Sequence, residues 1–127
     1  MAIKGLMVDP ITNMPIIVLR EVEGQRILPI WVGVFEANAI ALQIENVQTP
    51  RPMTHDLLKS VIDHLGGRVE RIVVCELKEN TFYATLHVLS AKGQLSVDSR
   101  PSDAIALALR TGARIFVEEA VIQNARS

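Results

Sequence analysis

The sequence predicts one α+β domain, a mixed and mostly antiparallel β-sheet with three to four helices packed on it. Segments with strand character and segments with helical character follow one another without a regular βαβ alternation. The length of 127 residues corresponds to a single domain over 1–127. Hydrophobic residues make up 49% of the chain but aromatic residues only 4%, so we expect a core of Ile, Leu, Val and Ala side chains.

The first part of the chain has strand character. Strands are expected over 3–8, 15–21 and 26–32, and the turn around Gly24 joins the last two into a hairpin. Pro29 cannot donate a hydrogen bond to a neighbouring strand. We therefore expect the third strand to be an edge strand or to be bulged at Pro29.

Two helices follow. Over 34–45 the apolar residues cover most of the circumference, which predicts a helix buried on more than one side, within the domain or against another subunit. The second helix begins after Thr54 as N-cap and ends at Gly66-Gly67. Its apolar residues form a single stripe, which comprises Leu57, Leu58, Val61, Ile62 and Leu65.

The remaining elements are three strands, a helix, a short strand and a closing helix. Strands are expected over 68–77, 82–89 and 94–98, and apolar residues alternate with polar ones in the second of them, as in a half-covered antiparallel sheet. Pro101 opens a helix over 102–110 that is apolar all round, and Gly112 ends it. A strand over 115–117 and a helix over 118–125 complete the chain.

Charge and cysteine content exclude several function classes. Thirteen Lys and Arg against 14 Asp and Glu give a formal net charge of −1, so any nucleic-acid role requires a local basic groove. A single cysteine, Cys75, excludes an intramolecular disulfide framework and a cysteine-cluster metal site. The chain shows neither a signal-peptide pattern nor a stretch of about 20 apolar residues that could cross a membrane, so we expect a cytoplasmic protein.

One polar pattern occurs twice, at the starts of the second and third helices. The segments are Arg51-Pro52-Met53-Thr54-His55-Asp56 and Arg100-Pro101-Ser102-Asp103. At each, free backbone N–H groups, the positive end of a helix dipole and a guanidinium can meet an anion. Asp98 and the first-turn Glu36 add carboxylates. The alternative is structural: Thr54, Ser99 or Ser102 cap helices, the acids complement helix dipoles, and the arginines pair with them.

Several single residues have two interpretations. His55 is either an acid, base or ligand or, as we favour, an exposed or capping histidine, while His64 and His87 are expected to face solvent. Cys75 lies in an apolar run and is expected to be buried and inert. Trp31 is either a stacking platform for a base or, as we favour, a core or interface anchor.

Three motifs, in order along the chain, resemble the bifunctional nuclease (BFN) domain family, long described as a bacterial and archaeal domain of unknown function. They are Leu28-Pro29-Ile30-Trp31-Val32-Gly33 with Phe35-Glu36-Ala37, Arg51-Pro52-Met53-Thr54-His55-Asp56-Leu57, and the segment from Asp98 to Ala108. The resemblance covers about 4–119. It implies an α+β domain, often an oligomer, and nuclease activity on RNA and DNA, a label that comes from plant members.

Two functional hypotheses follow. In the first, the chain hydrolyses phosphodiesters of RNA or DNA: Asp98, Asp103, Asp56 and Glu36 are the catalytic carboxylates, Mg²⁺ or Mn²⁺ is held with Asp98 and Asp103 as candidate ligands, and His55 is the general acid or base. Phosphate contacts would come from Arg51, Arg100, Ser102 and Thr54. In the second, the chain is a non-catalytic module that binds an anion or another subunit. A homo-oligomer without a membrane association is expected under both.

Overall fold

The computed structural model describes residues 1–125, which form seven strands and four helices. In chain order the elements are β1 (Ala2–Val8), β2 (Pro15–Arg20), β3 (Ile27–Trp31), α1 (Val34–Ile44), α2 (Thr54–His64), β4 (Arg68–Lys78), β5 (Thr81–Ser90), β6 (Gly93–Ser99), α3 (Pro101–Thr111), β7 (Arg114–Val117) and α4 (Glu119–Ala125). All eleven elements were expected from the sequence, and their bounds differ from the expected ones by one or two residues. No helix within 1–125 has the length and apolarity needed to cross a bilayer.

The first three strands form an antiparallel sheet of order β1-β2-β3. Its buried face comes from alternate residues, such as the cross-strand pairs Ile17–Ile30 and Leu19–Leu28. Pro29 lies in β3, which is an outer strand, so its missing N–H leaves no gap in a central ladder. The expectation for Pro29 is thus confirmed.

The other four strands form a second sheet of order β6-β5-β4-β7, in which only β7 runs parallel to its neighbour. The α+β class with mixed, mostly antiparallel pairing is therefore confirmed, although the strands divide between two sheets. Along β5, Ala84, Leu86 and Val88 are buried against the helices, whereas Thr85 and His87 lie on the opposite face. We call that opposite face, which no helix within 1–125 covers, the outer face.

Helix α3 is the central element of the core. Every side chain from Ala104 to Ala108 is buried, because α1, α2, β4 and β5 all pack against this helix. The apolar circumference of α3 is thus covered within one chain. Helix α1 is different: it buries Ala37, Ala39 and Ile40 but leaves Phe35 86% exposed, so the single chain covers only part of its apolar circumference.

The helix starts differ from the expected capping. The N-cap residues are Gly33, Met53 and Arg100, and none of them makes a side-chain capping hydrogen bond. Thr54 is the first helical residue of α2, and Ser102 lies inside the first turn of α3, so the expectation that hydroxyl residues cap these helices is wrong. An acid stands instead at the third helical position each time, namely Glu36, Asp56 and Asp103. These carboxylates complement the positive ends of the three helices.

Candidate functional site

The two Arg-Pro segments meet in space, although they lie far apart in the chain. The contact is a hydrogen bond between His55 and Asp103, in which Nε2 of the imidazole lies 2.9 Å from Oδ1 of the carboxylate. Because both residues lie in the first turns of their helices, this contact fixes the start of α2 against the start of α3.

Arg100 extends this pair into a cluster of four. Its Nε and Nη2 atoms each lie 2.9 Å from Oδ2 of Asp103, and its Nη1 lies 3.5 Å from Oε1 of Glu36 on α1. Hydrogen bonding to Asp103, followed by the charges of Asp103 and Glu36, raises the pKa of Arg100. We call Glu36, His55, Arg100 and Asp103 the Arg100 cluster. It joins the first turns of all three large helices.

His55 is the buried member of the Arg100 cluster. Only 7% of the residue is exposed, and its Nδ1 atom is buried without a hydrogen-bond partner among the described residues. The expectation of an exposed or capping histidine is therefore wrong, because packing of α2 against α3 covers the ring. A ring in this position holds the Asp103 carboxylate and is itself shielded from a ligand.

The exposed side of Arg100 opens into a cleft of about 350 Å³, which we call the Trp31 cleft. Its wall includes Trp31, Phe82, Arg100 and Ser102. The Trp31 side chain is half exposed, so it does not anchor the core of the single chain, and its role as an interface anchor stays a prediction. An indole and a guanidinium within one cleft are the groups that contact the base and the phosphate of a nucleotide.

Asp9 holds the Trp31 ring in place. The Nε1–H group of the indole donates a hydrogen bond of 3.0 Å to Oδ2 of Asp9, a residue in the loop between β1 and β2. This bond is the main cause that lowers the pKa of Asp9, followed by the backbone N–H of Ile11. Sequence reasoning missed Asp9, since no local pattern connects it to a tryptophan 22 positions away.

Asp56 lies outside the Arg100 cluster. Its Oδ2 accepts the backbone N–H of Met53 at 2.9 Å, and its Oδ1 accepts the Nε–H of Arg110 at 2.7 Å. Asp56 and Arg110 line a separate hollow of about 310 Å³ together with Arg51. The structure therefore places Arg51 and Arg100 in different depressions, and the exposed Thr54 lines neither of them.

Asp98 lies on the outer face of the second sheet. It pairs in register with Thr85, while its neighbours Val97 and Ser99 pair with Leu86 and Ala84 on the helix-covered face. Successive residues of a strand point to opposite faces. Asp98 is thus separated by the sheet from Asp103, with which sequence reasoning had grouped it.

The donors expected to hold Mg²⁺ or Mn²⁺ do not come together in this chain. Among residues 1–125, no group of three or more His, Cys, Asp or Glu side chains is placed to hold a metal ion. Within the Arg100 cluster, both oxygens of Asp103 already bind cationic or N–H donors, and Asp98 is on the other side of the sheet.

Two further residues differ from the sequence expectations. Cys75 is exposed on the second sheet, with Sγ near the Tyr83 carbonyl and the Thr85 hydroxyl, so the expectation of a buried thiol is wrong. The run Val73-Val74-Cys75 is apolar, but successive strand residues point to opposite faces, so Cys75 follows the buried Val74 onto the outer face beside Thr85. Arg110 was not singled out, although it is a lone cation in the last turn of an apolar helix.

The chain is similar in sequence to a described family and to several known proteins. A family model described as the bifunctional nuclease domain matches residues 17–127. An uncharacterized protein of Mycobacterium tuberculosis is 45% identical over 123 residues, which cover 97% of this chain and 73% of that protein. Bifunctional nuclease 1 of Arabidopsis thaliana is 33% identical over 100 residues and that of Oryza sativa subsp. japonica 27% over 112. The matched region makes up 31% and 34% of these two plant proteins.

Proposed function

Because the chain belongs to the bifunctional nuclease domain family, we propose that it hydrolyses phosphodiester bonds of single-stranded RNA, DNA or both at the Trp31 cleft. One observation carries this proposal: the half-exposed indole of Trp31 and the exposed guanidinium of Arg100 share one cleft of about 350 Å³. Stacking on an aromatic ring tolerates any base, and a guanidinium binds a phosphate through two parallel hydrogen bonds.

Arg100 is the proposed phosphate ligand. Its side chain is 64% exposed, and two carboxylates fix its direction, so little conformational freedom is lost when a phosphate binds. Ser102 lies beside it in the first turn of α3, where backbone N–H groups and the helix dipole favour an anion. The near-neutral charge of the chain therefore does not prevent local binding of a phosphate.

Asp103 is the proposed general base. A water molecule would attack phosphorus and give one proton to the Asp103 carboxylate, while the displaced ester oxygen would take a proton from a solvent water as the P–O bond breaks. Asp103 would then return its proton to solvent. Of the two carboxylates that flank Arg100, Asp103 is the more exposed, at 30% against 16% for Glu36. His55 serves as a positioning residue, since its Nε2 holds Asp103 and its own ring is covered. Asp98, Asp56, Arg51 and Thr54 stay outside the proposed site.

The engagement of Asp103 favours a second candidate function. Both of its oxygens accept hydrogen bonds from His55 and Arg100, as in a scaffold that presents a guanidinium and performs no chemistry. In this case the Trp31 cleft binds a nucleotide or a similar aromatic anion without hydrolysis. Cleavage and binding must therefore be measured separately.

Cleavage is tested on single-stranded RNA and DNA with Mg²⁺, with Mn²⁺ and with EDTA. We expect Asp103→Asn to reduce cleavage by about 100-fold or more, since general-base catalysis contributes on that order. The control is Asp63→Asn, which removes an exposed carboxylate that pairs with Lys59 on α2 and does not line the Trp31 cleft. Equal cleavage by wild type, Asp103→Asn and Asp63→Asn would reject Asp103 as the base.

Binding is measured through Trp31, which is the only tryptophan of the chain. A short oligonucleotide that stacks on the indole should quench its fluorescence, and Arg100→Gln should weaken the effect, whereas Arg51→Gln in the separate hollow should not. Quenching without cleavage would support the second candidate function. No quenching by RNA or DNA would contradict the proposed site under either function.

A further inference from the structure

Six large apolar side chains on α2 and β6 remain exposed in the single chain. On α2, the apolar stripe expected from the sequence faces solvent along most of its length. Leu65, just beyond the end of the helix, is 78% exposed. On β6, the two apolar residues lie on the helix side of the sheet, where no helix of the described part of the chain covers them. The six residues are Leu57, Leu58, Val61, Leu65, Leu95 and Val97.

The apolar parts of α2 and β6 border the same surface. Ile62 of α2 and Val88 of β5 both approach Gly67, and Val88 pairs in register with Leu95 of β6. The flank of α2 that carries Lys59 and Asp63 lies instead over the start of β4. Because Val88 pairs with Leu95, the contact at Gly67 places the C-terminal end of α2 near the apolar residues of β6. We call this surface, formed by the six residues, the α2–β6 surface.

Strand β6 is also an outer strand without the features that protect sheet edges. Among the outer strands within 1–125, β1 has a register shift after Ile3, β3 contains Pro29, and β7 has only four residues. Strand β6 pairs with β5 over seven residues without any register shift, and it contains neither proline nor lysine. A regular, unprotected edge next to an apolar surface is a template for pairing with another strand.

We propose that two copies of this chain join through β6, side by side and antiparallel, and so form a two-fold symmetric dimer with one continuous eight-stranded sheet. The symmetry axis passes at Ser96. In this register Leu95 faces Val97 of the second copy on the helix side, and Gln94 faces Asp98 of the second copy on the outer face. Helix α2 of each copy covers the apolar residues near the junction.

Two antiparallel copies of β6 match each other in side-chain character only when the symmetry axis passes at Ser96. The register at Ser96 pairs all seven residues from Gly93 to Ser99, with apolar opposite apolar and an amide opposite a carboxylate. If the symmetry axis passed at Asp98 instead, the two Asp98 carboxylates would face each other. If the pairing shifted by one residue, apolar residues would lie on the outer face.

The area agrees with a dimer. The exposed fractions of the six side chains correspond to roughly 500 Å² per chain, near the upper range for the largest apolar patch of a monomer. A stable interface buries about 800 Å² per partner, so the apolar patch supplies more than half of that area. A second copy is the occupant that supplies both an apolar face and a matching strand edge.

The solution mass tests the association. We expect light scattering to give two chains of 14.0 kDa each for the wild type, and Leu65→Lys to give one. Leu65 is exposed in the single chain, so a lysine there leaves the fold intact, which thermal unfolding by circular dichroism checks. The matched control is Ile11→Lys, which changes a 91% exposed residue of the β1–β2 loop and should remain dimeric. A monomeric wild type, or equal masses for both variants, would overturn the proposal.

Cysteine cross-linking tests the register, in a Cys75→Ser background. Directly opposite residues of antiparallel strands have Cα atoms about 4.5–5.5 Å apart, within the range of a disulfide. Ser96→Cys should therefore form an intermolecular disulfide on mild oxidation. Gln94→Cys and Asp98→Cys should not, since each is displaced from its own copy by about 13 Å. A dimer in which Ser96→Cys remains unlinked, or in which all three link equally, would refute the β6 pairing.

Discussion

Substitution of Arg110 tests whether the buried Arg110–Asp56 pair stabilises the fold more than the exposed pairs of Arg100 do. Its side chain is only 4% exposed, and it joins three helices: Nε donates to Asp56 on α2, Nη2 to the carbonyl of Ala39 on α1, and Nη1 to the carbonyl of Ala106 on its own helix. We expect Arg110→Met, which keeps the apolar stem, to destabilise the protein substantially.

The magnitude follows from these contacts. Hydrogen bonds that involve a charged group each contribute about 1.5–3 kcal/mol. The two carbonyls lie within helices and retain their helical N–H partners, and Asp56 retains the N–H of Met53 and partial contact with water. The loss is therefore less than the full sum. We expect the free energy of unfolding to fall by about 3 kcal/mol, which lowers Tm by roughly 10 °C.

Urea denaturation followed by circular dichroism measures this change at fixed protein concentration. Arg100→Met is the matched control, since this arginine also pairs with carboxylates but is 64% exposed. Exposed ion pairs contribute about 0–1 kcal/mol, so the control should change little. A loss below about 1 kcal/mol for Arg110→Met, or an equal loss for both variants, would refute the argument that burial separates a structural arginine from a ligand-binding one.

Two pH-dependent effects accompany this prediction. The backbone N–H of Met53, followed by Arg110, lowers the pKa of Asp56 in the folded chain. The contribution of Asp56 to stability is therefore complete above its unfolded pKa of about 3.9 and is lost as the pH falls through the folded value. Asp56→Asn should flatten the acid limb of a curve of Tm against pH, and an unchanged limb would contradict this. The hydrogen bond from Trp31 lowers the pKa of Asp9. On acidification the fluorescence of Trp31 should therefore stay constant down to a pH of about 4 and change only below it. Asp9→Asn should remove this transition, and a transition that persists would show that another group controls the indole fluorescence.

Several features of the site could be predicted from the sequence because they are local. An Arg-Pro pair followed by an acid, five positions after Arg51 and three after Arg100, indicates the start of a helix, and the structure has Asp56 and Asp103 in the first turns of α2 and α3. The outer position of Asp98 also had a local signal. Leu95 and Val97 form the apolar set of their strand, so Asp98 belongs to the polar set on the other face.

The sequence by itself determined the types and order of the elements and the family, because these depend on periodicity and on short motifs. Tertiary structure alone decided the exposure of each face. His55 is buried because α3 packs over it, and Trp31 is exposed because β3 ends at an open cleft. The apolar stripe of α2 also reads as a buried face, yet the chain covers only one flank of it. Periodicity specifies which residues share a face, whereas contacts between distant segments determine what, if anything, lies against that face.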